Sequence, residues 1–242
     1  MKTLTSVKKL ALGLAIGGLF AWQAGATLAY SIPVGQQGSQ PDGPYALGDL
    51  FTISSGISVD ALGAFTPNGS FSSPVEVAIY SITMNGQSIG SSSLVTPVLT
   101  FDGSYSPGVA LQSLGSPVNL AAGTYMVVAN NQGGGGGVVD YNPAWNSVNA
   151  PNPAHTGINS MTAASGINFS QNGYFTSTGP LTGLFPTTFG LDNYWTAGGP
   201  HYGAGNFDFT PVPEAAGFAL AGIAMLGLVY VGRAYSQKLK VA

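Results

Sequence analysis

Carboxylates, two imidazoles and many hydroxyls are the main candidates for chemistry in this 242-residue chain, which has no cysteine. Glu214 stands close to the C-terminus. The other acidic side chains are Asp42, Asp49, Asp60, Glu76, Asp102, Asp140, Asp192 and Asp208. Two carboxylates roughly 5–10 Å apart could cleave a glycosidic bond, one as the acid and the other as base or nucleophile. No spacing in the sequence pairs any two of them. Asp42-Gly43 and Asp102-Gly103 carry the signature of turns instead. His155 and His201 lie far apart, and neither has a metal-ligand spacing such as His-x-x-x-His. Serine is abundant, but Gly-x-Ser-x-Gly is absent, so a Ser-His-Asp set would have to be assembled by folding alone. Calcium stays open, since oxygen atoms are the ligands it needs, although there is no Asp-x-Asp-x-Asp-Gly loop. No other cofactor or metal is expected, and no catalytic residue is assigned.

Binding chemistry is a second option. Trp145, Tyr194, Trp195 and Tyr202 fall in a stretch rich in Asn, Pro, Gly and Ser. Aromatic faces can stack on sugar rings while Asn and Asp bond the hydroxyls; the alternative role is to anchor loops or core. Gly133 to Gly137 form an unbroken glycine run. A phosphate-binding loop would need a following Gly-Lys-Ser/Thr, and no lysine follows, so the run reads as a flexible loop. Nucleic acid is excluded as a partner of the middle of the chain. Between Leu10 and Gly232 there is no Lys or Arg to neutralise phosphate.

These residues need a scaffold, and its pattern is β. Ile57, Val59 and Ala61 alternate with Ser58 and Asp60, which predicts a strand with those apolar residues on its buried face. Val75, Val77 and Ile79 alternate in the same way. Asn85-Gly86 marks a hairpin, with Ser88 to Val95 returning. Val98 to Phe101 and Tyr125 to Ala129 read as further strands, the second after a turn at Ala122-Gly123. Phe207 and Phe209 flank Asp208 in a last one. No strand is placed between Asp140 and Gly205, which reads as a long irregular stretch suited to binding. No segment shows a helix-length period. Short strands with turn residues between them predict an all-β domain over residues 30–210, an antiparallel β-sandwich or jelly-roll-like ectodomain. Without disulfides or side-chain ion pairs, apolar packing and backbone pairing must hold it.

The six Lys and Arg residues all lie at the two ends. Lys2, Lys8 and Lys9 precede an apolar run, Leu10 to Ala21, that is short for a membrane span. This is the layout of a secretory signal peptide over residues 1–29, which makes signal peptidase a partner. Ala24-Gly25-Ala26 and Thr27-Leu28-Ala29 both fit the small-x-small rule, so cleavage is expected after Ala26 or Ala29. At the other end, residues 215–232 form an uncharged run rich in Ala, Gly, Leu, Ile and Val. It is long enough to cover most of a roughly 30 Å hydrocarbon core as a transmembrane helix. Arg233, Lys238 and Lys240, in the tail 233–242, then act as a basic stop that stays on the cytoplasmic side.

Val212, Pro213 and Glu214 stand just before this run. A Val-Pro-Glu motif, an apolar helix and a basic tail, in that order over residues 211–242, resembles the PEP-CTERM sorting signal of Gram-negative bacteria. Ala215 replaces the family's second proline, and the basic tail is dilute. The resemblance implies recognition and processing by an exosortase, a membrane-embedded cysteine transpeptidase-like enzyme. It also implies a transient stay in the inner membrane, then the cell surface or extracellular matrix, in the setting of extracellular polysaccharide and biofilm. The middle also resembles a β-sandwich ectodomain of unknown function carried by PEP-CTERM proteins. That likeness rests on residues 45–52, 57–65, 75–80, 118–125 and 206–209. The expected function is thus a non-enzymatic, exported surface or matrix protein. A cell-surface carbohydrate-binding module is the alternative, and a polysaccharide hydrolase a weaker one.

Overall fold

A computed structural model describes residues 26–31, 45–66, 69–71, 74–131, 162–176, 180–181, 190–192 and 205–212. Within them the protein is all-β and every strand pairing is antiparallel. The strands are β1 Thr27–Leu28, β2 Tyr30–Ser31, β3 Tyr45–Ile53, β4 Ile57–Thr66, β5 Val75–Asn85, β6 Ser88–Leu94, β7 Leu99–Phe101, β8 Gly108–Leu120, β9 Gly123–Asn131, β10 Thr162–Ala163, β11 Ile167–Thr176, β12 Gly190–Asp192 and β13 Gly205–Pro211. One sheet has the order β1-β13-β4-β8. The larger has the order β12-β11-β3-β9-β5-β6, with β7 also on β5, and β2 pairs with β10 apart from both.

The two main sheets share one apolar core. The smaller sheet contributes Ile57, Val59, Leu62, Phe207 and Phe209, and the larger Phe51, Ile53, Val77, Ile79, Val127 and Phe169. Phe51 sits at its centre, with ring centroids 5.0 Å from Phe207, 5.5 Å from Phe169 and 5.7 Å from Tyr125. Burying each such ring stabilises the fold by roughly 1.5–3 kcal/mol, which is how a chain without cysteine, and without Lys or Arg between Leu10 and Gly232, holds its sheets.

The strand β4 departs from simple alternation. The period of two predicts Ala61 on the buried face beside Val59. Instead the register slips at Asp60: Val59 faces Phe209, but Ala61 faces Asp208. One extra residue in a strand flips everything after it to the other face. Leu62 and Ala64 therefore enter the core, and Ala61 is only half-buried.

The hairpin expected at Asn85-Gly86 joins β5 to β6, with Asn85 paired to Ser88. Its two-residue loop is Gly86–Gln87. Gly86 has φ 63° and, among the described residues, no non-glycine residue has positive φ, which is the type II′ pattern with glycine first. Asn85 thus closes the strand pair rather than occupying the turn itself.

Three strands fall in the stretch 140–205, where no strand was expected: β10, β11 and β12. The longest of them, β11, pairs with β3 along its whole length. Its sequence, Ile167 to Thr176, mixes Asn, Ser, Gln and Gly with strand-favouring Ile, Phe, Tyr and Thr, so no clean alternation marks it as a strand. Pairing with β3 supplies what the local pattern lacks. No strand was expected over β8 either, since Gly115 and Pro117 interrupt it.

Candidate functional site

Long-range strand pairing brings the two chain ends of the β unit together. The unit runs from Ala26 to Pro211. Its first strand, β1, pairs with its last, β13: Thr27 faces Phe209 and Leu28 faces Asp208. Because the pair is antiparallel, the chain enters at Ala26 and leaves at Pro211 from the same end of the smaller sheet. Val212, first residue of the sorting-like motif, follows directly and is exposed.

The entry is built into the interior. Ala29 is fully buried and donates its N–H to Phe207 O at 2.8 Å, while its own carbonyl accepts from Ala164 N–H at 2.8 Å. Tyr30 is buried and packs edge-on against Phe169, at 5.5 Å between centroids. The Tyr30 hydroxyl donates to Gly205 O, and Asn206 Nδ2 donates to Tyr30 O at 2.9 Å. Asn206 Oδ1 in turn accepts from Phe207 N–H at 2.8 Å. Burial, and secondarily the charge of buried Asp49, pushes the Tyr30 phenol well above its ordinary value. Residues 27–31 therefore tie β13 of one sheet to β10 beside the other.

Acidic side chains meet at one place. Asp60, in the β4 bulge, and Asp208, on β13, sit at neighbouring positions. Burial raises the Asp208 pKa, the Phe209 backbone hydrogen bond lowers it, and the Asp60 charge raises it further. Asp208 Oδ1 is buried without a hydrogen-bond partner. Asp60 and Asp208 are two carboxylates on adjacent strands, which is the residue type that glycoside chemistry uses. Glu76 is engaged elsewhere: its Oε2 accepts the Leu181 N–H at 2.7 Å. Asp102 is exposed in its turn.

Among the described residues, no group of three or more His, Cys, Asp or Glu could hold a metal ion. Trp145, Tyr194, Trp195 and Tyr202, the stacking candidates, lie outside the described residues. So do Pro213, Glu214, Arg233, Lys238, Lys240, His155, His201, the glycine run 133–137 and residues 1–25. Among the described residues, no helix is long and apolar enough to cross a membrane. The apolar run 215–232 is outside them.

Nothing in the local pattern of residues 27–31 marks them as part of the folded unit, because Thr-Leu-Ala-Tyr-Ser is too short for any period to register. Comparison with known proteins found no matching family model, no matching curated protein and no matching solved structure.

Proposed function

We propose that this chain is an exported, non-enzymatic surface or matrix protein of a Gram-negative bacterium. Its β unit is a sandwich of jelly-roll-like character. A signal peptide delivers it, residues 215–232 hold it transiently in the inner membrane, and an exosortase-type enzyme recognises Val212, Pro213 and Glu214. Extracellular polysaccharide is the partner that this setting supplies.

The observation that carries the proposal is the position of the unit's two ends. The unit stops at Ala26 and Pro211. The segments read as addresses, residues 1–29 and 211–242, overlap those ends by a few residues, and all six basic residues fall within them. The pairing of β1 with β13 places both exits at one end of one sheet. With both ends on one side, neither linker has to cross the domain.

The test is the intact mass of the protein from its native host, with and without the sorting enzyme. The expected result is a mature chain ending near Glu214 only when the enzyme is present. A chain that runs to Ala242 in both strains would overturn the sorting part of the proposal. Tryptic peptides are unsuitable, since no Lys or Arg lies between Leu10 and Gly232.

A further inference from the structure

We infer that export cleavage falls between Ala26 and Thr27 and that the second small-x-small site, at Ala29, is not the functional one. This rests on the export reading above and adds the position of the cut. Both tripeptides satisfy the same small-residue rule. What separates them is the product each cut would leave.

Cleavage after Ala26 adds water across the Ala26–Thr27 peptide bond. The leader departs with the Ala26 carboxylate, and Thr27 keeps the new amino group, which takes up a proton. Thr27 is exposed, so the ammonium forms in water and costs the fold nothing. All of β1 survives, with Thr27 on Phe209 and Leu28 on Asp208.

Cleavage after Ala29 removes β1 and the fully buried Ala29. It deletes the bond from Ala29 N–H to Phe207 O and the acceptor of Ala164 N–H, both 2.8 Å. The buried Phe207 carbonyl and the partly buried Ala164 N–H would lose these partners. The new ammonium would then lie on Tyr30, which is 1% exposed and packed on Phe169. Between Leu10 and Gly232 the only charges of side-chain origin that could meet it are carboxylates. Asp49 is the buried one whose charge reaches Tyr30. A buried ammonium is costly even when paired, and here it would stand in the short β2–β10 pair, where Tyr30 faces Ala163.

The experiment is export of the full chain in a Gram-negative host, with the mature N-terminus read by sequencing and by intact mass. A chain beginning at Thr27 is expected. A chain beginning at Tyr30 would overturn the position while leaving the export reading standing. A chain that keeps residues 1–26 would overturn the export reading, and the position with it. Ala26→Tyr gives an independent arm, since Ala26 is exposed and a bulky residue there spoils only the first cleavage motif. The expected result is loss of the mature chain and accumulation of precursor. Undiminished mature protein beginning at Tyr30 would overturn the inference.

Discussion

The two main sheets differ in how many faces they bury. The smaller sheet buries one. Ile57, Val59, Leu62, Phe207 and Phe209 point into the shared core. Ser58, Asp60 and Asp208 are only partly covered, and Leu111 is exposed. The larger sheet buries both. Phe51, Val77, Ile79 and Val127 face the shared core, while Ala46, Leu50, Ala78, Tyr80, Met126 and Val128 form a second cluster. Leu181 sits in that second cluster, held at two points. Its N–H bonds Glu76 at 2.7 Å, and its carbonyl accepts from Tyr80 OH at 2.8 Å. Burial, then the Glu76 charge, pushes the Tyr80 phenol up to about 12.

That difference explains how the strands read. A strand buried on one face alternates, and a strand buried on both becomes a continuous apolar run. The strand β4 alternates up to its bulge, whereas Tyr125 to Ala129 in β9 has no polar residue. Close packing on the second face is visible at Gly48, where a Cβ would lie 2.9 Å from Met126 Sδ. Any side chain there would push Met126 out of its place.

The largest effect should come from the face both sheets share. Phe51→Ala removes the ring that touches Tyr125, Phe169 and Phe207, and it should cost about 3–5 kcal/mol in urea denaturation. Leu181→Ala tests the second face and should cost about 2–3 kcal/mol. Hydrogen exchange should rise at Ala78 and Val128 but not at Val59. Equal acceleration at Val59 would mean that the two faces unfold as one, against the distinction drawn here.

A smaller effect should appear on the partly covered face. The pKa of Asp208 is raised on folding from the ordinary 3.8. The folded state therefore holds the proton more tightly. Its stabilising contribution is complete below about 3.8 and is lost as pH rises through the folded value. At neutral pH the charged carboxylate opposes the fold. Asp208→Asn should raise the melting temperature by about 1–2 °C at pH 7, with the gain disappearing near pH 3. A gain that persists unchanged at pH 3 would show that charge is not the cause. The smallest effect should be that of salt. With no Lys or Arg between Leu10 and Gly232, few ion pairs exist to be screened, so the melting temperature should move by less than about 2 °C between low and high salt. A steep fall would break the picture of a fold held by packing alone.

The β class, the hairpin at Asn85-Gly86 and the strands around Val59, Val77, Val127 and Phe207 are legible in the residues alone. These are consequences of local period, turn chemistry and composition, which act over a few residues. The rest came from long-range contacts. The bulge at Asp60 sent Leu62 rather than Ala61 inward, because β4 must match both β13 and β8. The polar strand β11 exists because β3 offers it a ladder. Residues 27–31 became part of the unit through partners at Phe207, Ala164 and Gly205, more than a hundred positions away along the chain. Such contacts leave no trace in a short segment's own pattern, because their free energy comes from groups that only folding brings near.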